Sequence, residues 1–180
     1  DRGYFDDITL DIYDKQLIQL GKMIHKERTD FLQALTPVFA KYYSEISDSK
    51  EKVALLYKSQ LNEGNIETLL QASLLKDRAS NHTGVGIHKD DVLFEMNEHP
   101  IKKIGSQGQQ KSFLIALKLA QFDFIKEQLG FKPILLLDDI FDKLDDNRVL
   151  QLISFVNKGF FGQVFITDTH AERSEEILTK

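Results

Sequence analysis

Apolar residues recur at steps of three and four along the first third of the chain. The positions are Leu10, Tyr13, Leu17, Leu20, Ile24, Phe31, Leu35 and Phe39. This period is typical of one face of an amphipathic helix, whose other face is polar. Thr36-Pro37 interrupts the run, because proline fits the first position of a helix after a threonine cap. The pattern predicts two helices, or one kinked helix, up to about Ile46, forming an arm that packs on a partner helix.

The rest of the chain divides into shorter segments. Before residue 105 the patterns predict a strand at Val53–Tyr57, a turn at Asn62–Asn65, a helix from Ile66 to about Arg78, a strand at Val92–Met96, a turn at Asn97–Pro100 and a return strand at Ile101–Ile104. After it they predict helices at Gln109–Leu129, Asp145–Val156 and Ala171–Leu178 and buried parallel strands at Ile134–Leu137 and Val164–Ile166. This alternation indicates an α/β fold. We therefore expect a helical lobe or arm with a short strand at residues 1–82, and an α/β portion at residues 83–180.

Composition narrows the possible functions. The chain has 180 residues, with 23 Lys and Arg against 28 Asp and Glu, a formal charge of −5. This acidic balance argues mildly against a simple basic nucleic-acid-binding module. The chain has no cysteine, which excludes disulfides and cysteine-based zinc or nucleophile chemistry. With no visible signal peptide and no apolar run long enough for a membrane span, a cytoplasmic location fits best.

Two short segments carry candidate chemistry. Asp138 and Asp139 follow the aliphatic run Ile134–Leu137, and ligands bind at the carboxyl ends of strands in open α/β sheets. One carboxylate there can hold Mg²⁺ and its neighbour can act on a water molecule, although an ordinary acidic turn has the same pattern. Gly105–Lys111 places a serine and a glycine before a long helix, which makes an anion site or merely a capped helix.

The order of these segments is more specific than either alone. The Ser-Gln-Gly-Gln-Gln loop from Ser106, a helix, the strand ending in Asp138-Asp139, and Phe141–Asp145 resemble the signature motif, Walker B and D-loop of ABC-type ATPases. The variant with Gln-Gln-Lys and Asp-Asp is similar to the RecF family, a DNA-repair member of the SMC-like branch. Thr83–Asp91 is similar to the Gly-Pro-His-Arg-Asp-Asp segment of that family. The resemblance implies the C-terminal part of an ABC-type head, with a helical arm or lobe on its N-terminal side.

The resemblance also implies residue roles. Asp138 would support Mg²⁺, and Asp139 would act on the attacking water. Most ABC ATPases have glutamate at the second position, so the shorter reach of aspartate implies slow turnover. The residues that would contact the ATP γ-phosphate on the opposite subunit are Ser106, Gln107, Gly108 and Gln109. Asp145 would cross the dimer interface as the D-loop acid.

The implied biology is ATP-driven homodimerisation on DNA, including junctions of single- and double-stranded DNA, in recombinational repair, replication restart and the SOS response. The implied partners are the mediator proteins RecO and RecR. Two alternatives stay open: another SMC-like or ABC-type ATPase, and a non-enzymatic interaction domain.

The sequence departs from the family pattern in two places. The one Gly-Lys pair, Gly21-Lys22, has Gln16 and Met23 where a Walker A needs glycine and serine or threonine. We therefore expect part of a longer chain that does not hydrolyse ATP alone. Asp168 takes the place of the switch histidine, and His170 two residues later is either a γ-phosphate sensor or, as we favour, a surface residue. His88 suits a phosphate or DNA contact and a structural salt-bridge turn equally.

Overall fold

The computed structural model describes residues 7–47, 51–138, 144–157 and 159–167. The helices are α1 (Asp7–Ser47), α2 (Ile66–Ser80), α3 (Ile101–Ile104), α4 (Gln107–Leu129) and α5 (Asp146–Asn157), with 3₁₀ turns at Gln60–Asn62 and Ile87–Lys89. The strands are β1 (Val53–Lys58), β2 (Asp91–Met96), β3 (His99–Pro100), β4 (Leu135–Leu137) and β5 (Val164–Ile166). One sheet has the order β1-β2-β3, and the other joins β4 and β5.

Contacts divide the chain into two compact units. The first comprises the described residues of Asp1–Gln33 and Leu55–Leu93, and the second those of Ala34–Ala54 and Phe94–Lys180. The predicted boundary after residue 82 lies inside the first unit, and the assignment of residues 83–180 as an ATPase portion stays a prediction. Within the described ranges, none of the helices combines the length and apolar character that a membrane crossing requires.

Helix α1 is one continuous helix of 41 residues, so the two-helix alternative was wrong. Pro37 lies inside it and removes one backbone hydrogen bond, which costs about 3 kcal/mol in a helix interior. Leu35 and Phe39 on either side are 4% and 0% exposed, and burying two such side chains recovers a comparable free energy. Packing therefore carries the helix through the proline.

In the first unit, α1 lies close to the start of α2. Ile66, Leu70 and Val85 form a buried cluster, against which Ile18 of α1 packs. A Cβ added at Gly21 would lie 2.9 Å from Ile66 Cδ1, so glycine allows this approach. The Lys22 ammonium lies 2.5 Å from a carboxylate oxygen of Glu67. Gly21-Lys22 is therefore a packing element inside a helix and has no phosphate-binding loop around it.

The predicted return strand at Ile101–Ile104 was wrong, because that segment is the short helix α3. The chain already returns at β3, where Met96 pairs with His99 in an antiparallel ladder. Asn97 and Glu98 both have positive φ, as a tight two-residue hairpin turn requires. Pro100 has no N–H to continue the ladder, and the helical turn begins directly after it.

In the second unit, aromatic rings join α1 to α4. The rings of Phe39 and Phe113 lie 4.5 Å apart between centroids, and those of Tyr43 and Phe113 lie 6.1 Å apart. Phe113 and Tyr43 are 3% and 0% exposed. This core holds the first turns of α4 in place, where the candidate site begins. At its other end α4 stops at Gly130, whose φ of 71° is left-handed.

Strands β4 and β5 are parallel, as predicted, with Leu136 opposite Phe165. Their predicted complete burial was wrong for the described residues. Leu135 and Leu137 are buried, whereas Leu136 is 69% and Phe165 58% exposed. Side chains alternate between the two faces of a strand, so the described elements cover one face of this sheet and leave the other open. The apolar stripe of α1 is similarly open at its start, where Tyr13 is 58% exposed.

Candidate functional site

The start of α4 is a closed capping box. Ser106 precedes the helix, and its hydroxyl oxygen accepts a hydrogen bond of 3.2 Å from the Gln109 backbone N–H. In return, the Gln109 side-chain oxygen accepts a hydrogen bond of 2.7 Å from the Ser106 N–H. The capping pair satisfies one first-turn amide, while helix geometry gives those of Gln107 and Gly108 no carbonyl partner within the helix. The Ser106 hydroxyl still has its proton to donate, so this end of α4 can bind an anion.

Gly105 connects α3 to this cap. Its N–H donates to the Ile101 carbonyl at 2.8 Å, and its own carbonyl accepts from the Gln110 side chain at 2.8 Å. A Cβ at this position would lie 2.8 Å from the Ile101 carbonyl oxygen and 2.8 Å from Ile101 Cγ1. Glycine is therefore required for lack of space, since its φ of −75° suits any residue.

Asp138 follows β4 at the carboxyl edge of the parallel pair. The Thr167 hydroxyl, which follows β5, donates a hydrogen bond to one oxygen of the Asp138 carboxylate. The Thr167 N–H also donates to the Leu137 carbonyl at 3.0 Å. The parallel register thus brings these two side chains together across the strand ends. Sequence reasoning missed Thr167, although a polar residue directly after the neighbouring strand was the available signal.

A cavity of about 210 Å³ lies beside Asp138. Helix α4 and strand β4 line it with Lys111, Leu114, Ile115, Lys118, Leu136, Leu137 and Asp138. Its walls are therefore mainly aliphatic, with two ammonium groups and one carboxylate. Ser106, Gln107, Gly108 and Gln109 are not among the lining residues, so the structure places the α4 cap and this cavity as separate features of one unit.

Asp145 caps α5. One of its carboxylate oxygens accepts a hydrogen bond of 3.0 Å from the Arg148 N–H, and the other lies 3.5 Å from the Arg148 side chain. Its side chain is 59% exposed, which leaves the charge available to a ligand or partner. Asp139, Phe141–Lys143, Asp168, His170 and the helix predicted at Ala171–Leu178 lie outside the described residues.

Magnesium could be held here by one protein carboxylate. Among the described residues no group of three or more His, Cys, Asp or Glu side chains could form a metal site. Asp138 alone still suits Mg²⁺, because this ion keeps several waters and binds proteins through one or two carboxylates plus substrate phosphates.

The segment Thr83–Asp91 in the first unit is a structural turn. The side chain of Asp90 is 2% exposed and accepts hydrogen bonds from Arg28 at 3.0 Å and from the Tyr57 hydroxyl at 2.5 Å. Burial, followed by the hydrogen bond to Asp90, raises the pKa of Tyr57. An imidazole nitrogen of the exposed His88 lies 2.9 Å from the Thr83 carbonyl. The salt-bridge interpretation fits Asp90, and the function of His88 stays open.

The similarity to known proteins covers nearly the whole chain. No family model matches the chain. It is 56% identical over 174 residues to the DNA replication and repair protein RecF of Flavobacterium johnsoniae, covering 97% of this chain and 48% of that protein. It is 44% identical over 177 residues to RecF of Phocaeicola vulgatus, with shares of 98% and 48%. The chain thus spans about half the length of the curated relatives it matches.

Solved structures give the same result. A structure of the recombination mediator protein RecF with ATP, from the RecFOR pathway, matches with a TM-score of 0.76 and 29% identity, over 94% of this chain and 47% of that one. An Smc head bound to a domain of ScpA matches with a TM-score of 0.52 and 14% identity, over 89% and 41%, which bears on the fold alone. The predicted ABC-type, SMC-like fold class is confirmed.

Proposed function

Because the chain is RecF-like along nearly its whole length, we propose that it supplies the C-terminal part of an ATP-dependent DNA-binding protein of recombinational repair and replication restart. ATP binding drives two copies together on DNA, and slow hydrolysis releases them. The observation that carries this proposal is the capped start of α4, an anion site built from backbone amides and one serine hydroxyl.

The α4 cap suits a phosphate group of ATP bound to a second copy. The Ser106 hydroxyl and the Gln107 and Gly108 amides are donors, and the positive end of the helix dipole favours negative charge. The Gln109 side chain is engaged in the capping box, so its contribution is to hold the loop. An anion site that completes another subunit's phosphate site makes ATP the link between the two copies.

Asp138 and Asp139 would carry the hydrolytic chemistry. Asp138 would hold Mg²⁺, and the Thr167 hydroxyl, which donates a hydrogen bond to one of its carboxylate oxygens, would keep that side chain oriented for the ion. The chemistry that Mg²⁺ would supply there is neutralisation of the charge that develops on the phosphates. Asp139 accepts a proton from the attacking water, and does so slowly because its side chain is shorter than the glutamate that most ABC-type ATPases have at this position. Asp145 presents its exposed charge across the dimer interface.

The similarity to RecF supports the proposed DNA and protein partners. The relatives are DNA replication and repair proteins, and a matching structure is placed in the RecFOR pathway. We therefore include DNA, with a preference for single-/double-strand junctions, and the mediators RecO and RecR among the partners of the full-length protein. ATP and Mg²⁺ binding needs a Walker A, which these 180 residues lack.

Ser106→Arg in the full-length protein tests the phosphate contact. The arginine side chain would fill the anion site. We therefore expect the variant to lose ATP-dependent dimerisation, measured by light scattering, while it still binds ATP. Ser80→Arg, at an exposed serine ending α2, is the matched control and should dimerise normally. Dimerisation of the Ser106 variant would contradict the proposed contact.

Asp139→Asn tests the hydrolytic role. Asparagine keeps the shape of the side chain but cannot accept a proton, so ATP turnover should be abolished while an ATP-bound dimer accumulates. Turnover is measured as phosphate release and the dimer by light scattering. Phosphate release at the unsubstituted rate would exclude Asp139 as the base.

A further inference from the structure

Glu51 connects the candidate phosphate site to the end of α1. One of its carboxylate oxygens accepts a hydrogen bond of 2.5 Å from the side-chain nitrogen of Gln109. The other accepts a hydrogen bond of 2.7 Å from the hydroxyl of Tyr43, which is fully buried on α1. The carboxylate thus joins two elements that are far apart in the sequence and belong to the same compact unit.

These contacts select one orientation of the Gln109 amide. With its nitrogen facing Glu51, its oxygen faces the Ser106 N–H at 2.7 Å. The flipped amide would place its oxygen against the carboxylate and its NH₂ against the Ser106 N–H, pairing acceptor with acceptor and donor with donor. Glutamine by itself has no preference between the two orientations, so the Glu51 oxygen, which can only accept a hydrogen bond from Gln109, determines which one closes the capping box.

The geometry points to Glu51 as a positioning residue for the loop Gly105–Gln109. It holds the Gln109 amide in the orientation that caps α4, and so keeps the first-turn amides and the Ser106 hydroxyl arranged to receive a phosphate oxygen. Through Tyr43 the same carboxylate ties this arrangement to α1. The consequence for ATP-driven dimerisation rests on the function proposed above, whereas the effect on the loop itself does not.

The effect on the loop is tested by hydrogen exchange at the backbone N–H groups of Ser106 and Gln109, in the full-length protein without nucleotide. Glu51→Ala should speed exchange there by about tenfold or more, since hydrogen bonds to charged groups are stronger than those between neutral groups. Glu51→Gln keeps an acceptor for Gln109 and a donor for Tyr43, so it should restore most of the protection.

The matched control is Asp123→Ala. Asp123 also accepts a hydrogen bond from a buried tyrosine, Tyr42, at 2.5 Å in the same unit, but its described contacts, with Tyr42 and Lys126, lie outside the loop. A purely structural effect would be similar in the Asp123 and Glu51 variants. Faster exchange at Ser106 and Gln109 in Glu51→Ala alone supports positioning, and equal exchange in the Glu51 variant and the unsubstituted protein overturns it.

ATP-dependent dimerisation, measured by light scattering with ATP binding determined separately, gives the second readout. Glu51→Ala should need about tenfold more ATP to dimerise, with ATP binding by the monomer unchanged and Glu51→Gln close to normal. If Ser106→Arg dimerises normally, the proposed function fails while the exchange result stands. If Ser106→Arg blocks dimerisation but Glu51→Ala does not, the link from Glu51 to dimerisation is overturned.

Discussion

Replacing Gly105 by alanine tests whether the start of α4 is held in place by close packing. The added Cβ would lie 2.8 Å from the Ile101 carbonyl oxygen and 3.3 Å from Gln110 Cγ. The nearer atom belongs to the backbone of α3, and the Ile101 side chain is 6% exposed, so neither can move away cheaply. The strain must therefore displace the Ser106 cap or the helical turn before it.

The expected cost is about 1–3 kcal/mol for the overpacking, less about 0.4–1 kcal/mol because alanine has fewer unfolded conformations. The net effect is a destabilisation of about 1–2 kcal/mol, read as a lower urea midpoint at unchanged slope. ATP-dependent dimerisation should weaken in parallel.

Gly64→Ala is the control, because the nearest atoms to its added Cβ are side-chain atoms of Leu69, at ordinary contact distances of 3.8–4.0 Å. This variant should be neutral or slightly stabilised. Equal urea midpoints for the Gly105 and Gly64 variants would show that lack of space at Gly105 does not destabilise the protein.

Four other changes separate the effects of neighbouring groups. Burial, and after it the hydrogen bond to the Asp123 carboxylate, raises the pKa of Tyr42. The folded state therefore has its full stabilisation from the neutral Tyr42 below the ordinary tyrosine pKa near 10, and loses at most about 1.4 kcal/mol per pH unit above it. Tyr42→Phe should make the free energy of unfolding less dependent on pH in this alkaline range. Arg28→Ala leaves the buried Asp90 carboxylate without its arginine partner and should lower the free energy of unfolding, measured in urea, by about 2–4 kcal/mol. An unchanged free energy of unfolding would show that this ion pair does not stabilise the fold. Thr167→Val removes the hydroxyl that orients the proposed magnesium ligand and should lower ATP turnover more than ATP binding, both measured at saturating Mg²⁺. Asp145→Asn keeps a good helix cap but removes the charge, so thermal unfolding should be unchanged while dimerisation weakens; a loss of stability would mean that the charge serves the helix.

The sequence pattern predicted elements well wherever one local signal dominated. The parallel pairing of the two apolar strands followed from their composition, and the capped start of α4 followed from Ser106. The prediction was wrong where tertiary packing or turn geometry overrode the local signal. At Pro37 the two-helix alternative was wrong because buried neighbours continue the helix, and Ile101–Ile104 has strand composition although Pro100 directs the chain into a helical turn.

The candidate site was predictable only in its motif residues. Thr167 and Glu51 carry no motif, and their importance appears only when parallel strand ends and the end of α1 are brought next to Asp138 and Gln109. A sequence pattern identifies residues whose chemistry is unusual for their position. Residues that hold them are ordinary polar side chains, and only the fold distinguishes them from solvated ones.

The motif residues also stabilise the single chain, which decides how they must be tested. Ser106 caps α4, Asp145 caps α5, and Asp138 accepts the Thr167 hydroxyl, all without nucleotide or a second copy. Alanine at any of these positions removes a local hydrogen bond together with the proposed ligand contact, and losing a helix cap alone costs about 1 kcal/mol. A loss of dimerisation after alanine substitution therefore cannot be assigned to the ATP contact. Ser106→Arg also removes the cap of α4, so the contact is assigned by substitutions that keep a cap and change the charge. Ser106→Asp keeps a good helix cap but repels a phosphate, and Asp145→Asn keeps the cap of α5 and removes its charge.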